Sequence, residues 1–193
     1  MTTAILVLAA GRSSRLGRPK QLLPFRGRPL LEAVLAVARA CVADQRLVLL
    51  GGAAEDVRAA VDLDGFEVVL NQAYGTGCSS SIAAAVPELA PDTGVVVLLL
   101  GDQPGVSTDA VRRLLVGRGD APLAVCRYDD GIGHPFAFGR EVLPDLARLH
   151  GDKAVWKLLE QRAADVIEVR VPGTIPLDVD TQEDYERLLS STG

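Results

Sequence analysis

The residues best suited to chemistry lie in a basic, glycine-containing loop at positions 8–20, with the sequence LAAGRSSRLGRPK. The apolar run at residues 4–8 before it predicts a short buried strand. Two glycines in the loop allow backbone N–H groups to turn toward an anion, and Arg15 and Lys20 can neutralise that anion. We therefore predict a triphosphate-binding loop, in preference to an ordinary strand-to-helix turn with solvated arginines.

This loop differs from two common phosphate-binding motifs. No Gly-Lys-Ser/Thr sequence follows its glycines, and their spacing is not G-x-G-x-x-G. These differences argue against ATP hydrolysis by the usual P-loop route and against a nicotinamide-dependent dehydrogenase.

An acidic loop, Gly101-Asp102-Gln103-Pro104, follows the most apolar run of the chain at residues 95–100. A carboxylate at the end of a central strand is costly to bury without a partner. Magnesium is a suitable partner, since it takes one or two carboxylates and completes its shell with water and nucleotide phosphate oxygens. Asp102 lies too far before Thr108 to cap the next helix, so we predict that it binds the metal ion.

A second acidic segment, Asp178-Val179-Asp180-Thr181, precedes the last predicted helix. Alternate side chains of an extended segment point to opposite faces, so only one of the two aspartates is expected to face a given site. We predict Asp180 as the second metal ligand. The alternative is that Asp180 caps the helix, because aspartate is a favoured N-cap residue.

A fourth polar loop covers residues 71–81, with the sequence NQAYGTGCSSS. The Asn71 amide, the hydroxyls of Ser79 and Ser80 and the backbone at Gly77 could contact a base, a ribose or a second phosphate. The alternative is routine capping of a helix by serine.

The elements that must position these loops alternate along the chain. Val/Leu-rich runs at residues 4–8, 46–50, 67–70, 94–100 and 123–127 predict strands, and helical periodicity covers residues 29–42, 54–61, 80–89, 108–116, 140–149, 153–162 and 182–189. This alternation is typical of a parallel α/β sheet. Residues 131–138 and 166–171 predict a non-parallel addition late in the chain. Ligands bind where such strands end, which is where the polar loops lie.

Composition limits the classes of protein to consider. The 193 residues are 48% hydrophobic, with a net charge of -5 and no linker-like stretch, so we expect one domain over residues 1–193. The acidic balance argues against a nucleic-acid partner. Three widely spaced cysteines, Cys41, Cys78 and Cys126, suggest neither a disulfide framework nor a zinc site. We expect a cytoplasmic protein without a membrane partner, since no apolar run is long enough to span a bilayer.

Seven motifs in order resemble those of the molybdenum-cofactor nucleotidyltransferases, and most resemble the cytidylyltransferase branch. They are Leu8-Ala9-Ala10-Gly11, then Arg15 and Lys20 with Gly17 between them, then Asn71 with Gly77 and Ser79-Ser80, Gly101-Asp102-Gln103-Pro104, Gly133-His134-Pro135, Gly151-Asp152-Lys153 and Asp178-Val179-Asp180-Thr181. The resemblance covers nearly the whole chain.

The resemblance implies a single Rossmann-like, three-layer domain of the nucleotide-diphospho-sugar transferase type. It also implies transfer of a nucleoside monophosphate from a triphosphate to the phosphate of molybdopterin, with Mg²⁺ and release of pyrophosphate. Implied partners are a molybdoenzyme or its maturation chaperone. The implied nucleotide-binding residues are Leu8, Ala9, Ala10, Gly11, Arg12, Ser13, Arg15, Lys20, Asn71, Gly77, Ser79, Ser80 and Asp102, among which Arg15, Lys20 and Asp102 are catalytic.

Acceptor binding and base choice also follow from the resemblance. The implied acceptor-binding residues are Gly133, His134, Pro135, Asp152 and Lys153. The chain departs from the family at Ala154-Val155-Trp156, where glycine and arginine are common, and Trp156 either stacks on a ring or fills core. The Leu-Ala-Ala-Gly form favours CTP over GTP, because the Ala10 methyl narrows the pocket against a purine. Alternatives are another triphosphate, another small phosphorylated acceptor, or a chaperone that binds the cofactor without catalysis.

Overall fold

The computed structural model describes residues 2–11, 13, 15–151 and 153–191. The predicted site residues Arg12 and Asp152 lie outside this range. The strands are β1 Thr2–Ala9, β2 Pro24–Phe25, β3 Arg28–Pro29, β4 Gln45–Leu50, β5 Glu67–Leu70, β6 Thr93–Leu100, β7 Leu123–Tyr128, β8 Gly131–Gly139 and β9 Val166–Arg170. The α-helices are α1 Leu30–Ala40, α2 Ala54–Ala60, α3 Cys78–Ala85, α4 Thr108–Arg118, α5 Leu143–Leu146, α6 Ala154–Gln161 and α7 Gln182–Ser190.

Seven strands form one sheet in the order β5-β4-β1-β6-β8-β7-β9, while β2 and β3 form a small hairpin. Strand β8 runs antiparallel to both of its neighbours, and the other pairings of the large sheet are parallel. The predicted mostly parallel sheet is confirmed. The predicted non-parallel addition is β8 alone, because β9 pairs in parallel with β7.

Helices cover both faces of the sheet, which confirms the three-layer arrangement. Alternate side chains of β1 enter different cores: Ile5 and Val7 pack with α1, α2 and α4, whereas Leu6 packs with α3, α5 and α6. Burial on both faces explains why the central strands read as continuous apolar runs. None of the described helices has the length and apolar character needed to cross a membrane.

A third, smaller core joins the two ends of the chain. Leu23, Phe25 and Leu30 from the amino-terminal part pack there with Val179 and with α7. The backbone N–H of Val179 also donates to the carbonyl of Asp102, at 3.1 Å. The segment that carries Asp180 is therefore fixed beside the acidic loop after β6.

Three predicted helices differ from the observed ones at a boundary near a proline. Helix α1 begins at Leu30, because Pro29 is extended with ψ of 140°. The predicted helix 140–149 divides into a 3-10 turn and the short α5, since Pro144 has no N–H to continue the hydrogen-bond ladder. The predicted helix 80–89 begins earlier, at Cys78, and α3 ends at Ala85, where a 3-10 turn containing Pro87 follows.

Side-chain hydrogen bonds cap the starts of α4 and α7. The Ser107 hydroxyl accepts from the backbone N–H of Ala110 at 3.1 Å, and Thr181 forms a capping box with Asp184. Thr181 therefore caps α7, so Asp180 is not needed for that role.

Candidate active site

A cleft of about 860 Å³ opens where β1 and β6 end. The basic loop after β1, the acidic loop after β6 and the segment before α7 each line it, through Lys20, Asp102 and Asp180 among others. Its volume lies in the upper part of the range for small-molecule sites, roughly 300–1,000 Å³. The structure thus brings together loops that are far apart in the sequence.

Local hydrogen bonds close the basic loop on itself. Ser13 adopts a positive φ of 51°, and its hydroxyl accepts from the backbone N–H of Lys20 at 3.0 Å. The buried side-chain amide of Gln21 donates to the carbonyl of Ala9 at 2.6 Å. Gly17 has a positive φ of 67°, as a tight turn requires. These contacts fix the described residues of the loop at the mouth of the cleft.

Lys20 links the two predicted metal ligands. Its ammonium donates to the carboxylate of Asp102 and to that of Asp180, the latter at 2.8 Å. Arg15 makes a second ion pair with Asp180 at 3.0 Å, although its own side chain is mostly exposed. Asp102 and Asp180, some 80 residues apart in the sequence, therefore face one cation in the cleft.

The charges of this cluster stabilise one another. Burial opposes the charge of Lys20, but the neighbouring Asp102 and Asp180 outweigh it and raise the pKa of its ammonium. Burial likewise opposes ionisation of Asp180, yet hydrogen bonds and charge from Lys20 and Arg15 lower its pKa. Lys20 and Asp180 are therefore both charged at neutral pH.

The donor set suits a hard divalent cation that is shared with a ligand. Among the described residues, no three His, Cys, Asp or Glu side chains are grouped so as to hold a metal ion on their own. Asp102 and Asp180 instead supply two carboxylates, both of which contact the Lys20 ammonium in this structure. Two carboxylates, with water and phosphate oxygens as the remaining ligands, are the typical surroundings of Mg²⁺ at nucleotide sites.

Asp178 is a third acidic residue near the cluster, which the sequence reasoning set aside. Burial and the charge of Asp102 raise the pKa of the Asp178 carboxyl to about 6, while a hydrogen bond with the Gln103 side chain opposes the shift. The alternation of faces had predicted that only Asp180 would approach the site. Side chains alternate in this way in a regular strand, whereas residues 171–180 lie outside any strand.

The loop at residues 71–81 contributes to the cleft mainly through other residues than predicted. The Asn71 amide donates to the hydroxyls of Ser80 and Ser81, at 2.8 and 2.9 Å, and so ties the loop to the start of α3. Asn71, Ser79 and Ser80 are not among the described residues that line the cleft, whereas Gly77 is. Their predicted nucleotide contacts remain predictions.

Tyr74 is a cleft residue that the sequence reasoning missed. Its ring lies directly against Gly51 and Gly52, where an added Cβ would come within 2.8 Å of ring or Cβ atoms of Tyr74. Only glycine at these two positions lets the ring lie so close to the loop after β4. The Gly-Gly pair was the available sequence signal.

A bulge in β8 shapes the opposite end of the cleft. Phe136 pairs with Val125, but Cys126 pairs with Gly133, so His134 and Pro135 have no partner in β7. The Tyr128 hydroxyl donates to the carbonyl of His134 at 2.8 Å. Bulges re-aim side chains, and His134 accordingly lines the cleft, whereas Gly133 and Pro135 are not among the described lining residues.

Three aromatic rings form the wall at this end. His134 stacks on Phe136 with ring centroids 4.0 Å apart, and Trp156 meets Phe136 edge-on at 5.2 Å. Burial lowers the pKa of His134 to about 3, so the imidazole is neutral at physiological pH. Trp156 and the predicted acceptor residue Lys153 both line the cleft.

Comparison with known families agrees with this geometry. The model of the MobA-like NTP transferase domain matches residues 5–166. The chain belongs to this family. This membership confirms the family resemblance seen in the sequence, and the NTP transferase domain supports nucleotidyltransferase activity.

The chain is similar over nearly its whole length to three proteins with different descriptions. It is 32% identical to a nicotine blue oxidoreductase of Paenarthrobacter nicotinovorans over 95% of each chain. The structure of Rv0371C from Mycobacterium tuberculosis, in complex with manganese, superposes with a TM-score of 0.90 at 47% identity, covering 99% of this chain and 100% of that one. A nucleotidyl transferase of Methanothermobacter superposes with a TM-score of 0.79 at 26% identity, covering 98% and 99%.

Proposed function

We propose that this protein transfers a cytidylyl group from CTP to the phosphate of molybdopterin and releases pyrophosphate. The observation that carries the proposal is the convergence of Asp102 and Asp180 on Lys20, which ends the glycine-containing loop at the cleft. This arrangement offers donors and cations for a triphosphate, and carboxylates for the cation that accompanies it.

The chain's own residues supply positioning and charge. Backbone N–H groups of the loop and the side chains of Arg15 and Lys20 bind the phosphates and neutralise charge that develops on the leaving pyrophosphate. Asp102 and Asp180 would hold Mg²⁺, which supplies charge neutralisation at phosphate oxygens when bound. The manganese complex of Rv0371C supports a divalent-cation site in this family.

The reaction needs no general base from the protein. A phosphate monoester has a second pKa of about 6, so it is mostly a dianionic nucleophile at neutral pH. His134 is neutral there because of its lowered pKa, so it serves as a hydrogen-bond donor to the acceptor and not as a cation. Lys153 lines the cleft close to the aromatic wall, whereas Lys157 is not among the described lining residues, so we assign Lys153 to the acceptor phosphate.

The preference for CTP rests on the loop after β1. Ala9 and Ala10 are both nearly buried, and both line the cleft. The methyl group at Ala10 reduces the space available to a base, which favours a pyrimidine over a purine.

A screen of the four nucleoside triphosphates against phosphorylated acceptors tests the proposal. With Mg²⁺ and molybdopterin, we expect pyrophosphate from CTP, with less from GTP. Equal pyrophosphate release from GTP would contradict the proposed preference for CTP. Release only with another acceptor would show that molybdopterin is not the acceptor. No release in any combination would favour the non-catalytic chaperone that the sequence left open.

A second candidate activity comes from the relative named nicotine blue oxidoreductase, because that match covers 95% of both chains. The same preparation can be tested with nicotine blue, recording its visible spectrum with a reductant present. Bleaching that requires the protein, together with no pyrophosphate release, would favour redox chemistry at this cleft.

A further inference from the structure

Trp156, the single tryptophan of the chain, lies on the cleft wall with 39% of its surface exposed. Its neighbours on α6, Val155 and Leu158, are buried in the core beneath the sheet. The helix therefore places the indole outside the core, at the edge of the cleft. A large ring in that position forgoes hydrophobic stabilisation until a ligand covers it.

The orientation of the indole is set by rings beneath it. Phe136 is fully buried and pairs with Leu98 in β6 and Val125 in β7, so it belongs to the rigid centre of the sheet. Trp156 meets Phe136 at an interplanar angle of 89°. His134 stacks on Phe136 and meets Trp156 edge-on at 6.4 Å. Such a preoriented ring loses little conformational freedom when a ligand binds.

The sheet order separates this wall from the triphosphate loops. The basic loop follows β1, and Tyr74 lies on the loop after β5, which are on one side of β6. The aromatic wall arises from β8, on the other side of β6, and from α6. The indole is therefore placed for the second reactant and not for the base of the nucleotide.

Two polar groups accompany the ring. Lys153, three residues before Trp156, offers an ammonium on the same cleft wall. The neutral imidazole of His134 can donate or accept a hydrogen bond. A ring face, a cation and a neutral hydrogen-bonding group together match a flat heterocycle that carries an anionic substituent.

We propose that Trp156 determines acceptor specificity by stacking on a planar heteroaromatic ring, with the anionic group of that acceptor directed toward Lys153. This inference rests on the proposed function in one respect, namely that the ligand of Trp156 is the acceptor of the transferred group. The stacking itself is a binding property and is measurable without turnover.

The test compares wild type, Trp156→Phe and Trp156→Leu by isothermal titration calorimetry. The probes are pterin-6-carboxylate, a planar anion, and glucose 1-phosphate, an anion without a planar ring. We expect Trp156→Leu to weaken pterin-6-carboxylate binding about tenfold, and Trp156→Phe by less than about threefold, since stacking on aromatic rings tolerates exchange of the ring. Binding of glucose 1-phosphate and of CTP with Mg²⁺ should be alike in all three proteins.

Several outcomes would overturn the proposal. They are absence of pterin-6-carboxylate binding to the wild type, equal binding by all three proteins, or a parallel loss of CTP affinity in Trp156→Leu. Thermal unfolding of Trp156→Leu establishes that the variant is folded, and Trp156→Phe provides an independent comparison. Failure of nucleotidyl transfer with every acceptor would leave these affinities unchanged, so it is distinguishable from failure of this inference.

Discussion

Lys20 joins the acidic residues of the cleft to the loop that is proposed to bind phosphate. Its ammonium contacts carboxylates contributed by the loop after β6 and by the segment before α7. Because those carboxylates raise its pKa, the side chain stays charged throughout the physiological range. A bound triphosphate and its divalent cation would share this electrostatic field, so each charged member should affect both affinity and rate.

Removal of one carboxylate should abolish turnover without unfolding the protein. We expect Asp102→Asn to lower the rate of pyrophosphate release by at least about a hundredfold, since charge stabilisation at the reacting phosphates is lost. Asp109→Asn is the matched control, because Asp109 is an exposed residue paired with Arg112 and Arg113 on α4. Normal activity of Asp102→Asn would show that the metal assignment is wrong.

The cations of the basic loop can be compared with one another. Arg15→Ala and Lys20→Ala should each weaken CTP binding and slow transfer, with kcat/KM reduced about tenfold or more. Arg18→Ala should change it less than about twofold, because Arg18 belongs to the same loop but is not among the described residues that line the cleft. Unchanged kinetics in both of the first two variants would contradict the loop assignment.

His134 should make stability depend on pH. The pKa of His134 in the folded protein, about 3, lies below the ordinary value of 6.5. The contribution of the neutral imidazole to the free energy of unfolding is therefore fully present above pH 6.5 and is lost as the pH falls toward 3. Between pH 7 and pH 5 the protonation of the unfolded chain alone should cost about 2 kcal/mol. Urea unfolding should show that His134→Gln loses less stability over this interval than the wild type. Equal losses would contradict the buried, neutral imidazole.

The join between β6 and the acidic loop depends on close backbone approach. A Cβ at Gly101 would lie 2.9 Å from the carbonyl oxygen of Leu8 and 3.0 Å from a methyl group of Leu31. Gly101→Ala should therefore destabilise the protein by about 1–3 kcal/mol in urea unfolding, and displace Asp102. Gly105→Ala is the control, since the nearest atom to its Cβ, on Pro176, is 3.7 Å away. Equal stability of the two variants would refute the packing argument.

The sequence predicted helices and strands well where the hydrophobic residues follow a single helical or strand spacing. Strand β5 was predicted with its observed ends, and helices α4 and α7 begin at their predicted residues, Thr108 and Gln182. The β2–β3 hairpin was missed because strands of two residues carry no periodicity. The bulge at His134 and Pro135 was missed because it depends on how two strands pair and not on either strand alone.

The site was predictable to the extent that its loops end strands of one sheet. Lys20 and Asp102 follow β1 and β6, so they converge as the parallel topology requires. Asp180 lies outside any strand and joins them because Val179 packs in the small third core. The sequence could not predict which polar side chains face the cleft and which bond within their own loop. The Asn71 amide, for example, donates to the Ser80 hydroxyl within the loop. Tyr74 and Trp156 reach the cleft through tertiary packing that no local pattern encodes.

Ligand binding should raise the free energy of unfolding of the whole molecule, because the cleft joins the amino-terminal loop to the segment before the last helix. Arg15 and Lys20 already hold Asp180 there, beside the small core that includes α7. CTP with Mg²⁺ at a hundred times its Kd should add about 2.7 kcal/mol of stability, which raises the Tm by roughly 5–10 °C for a chain of this size. Asp180→Asn should lose most of this gain. An equal rise in Tm in the wild type and in Asp180→Asn would show that Asp180 does not contribute to binding of CTP and Mg²⁺.

The claim that Asp102 and Asp180 hold the cation that accompanies the triphosphate is tested most directly by Mn²⁺ binding. Electron paramagnetic resonance measures free Mn²⁺ in the presence of CTP and protein. We predict that CTP strengthens Mn²⁺ binding to the wild type and to Asp109→Asn, but not to Asp102→Asn or Asp180→Asn. CTP-dependent Mn²⁺ binding that survives in both of the last two variants would contradict it.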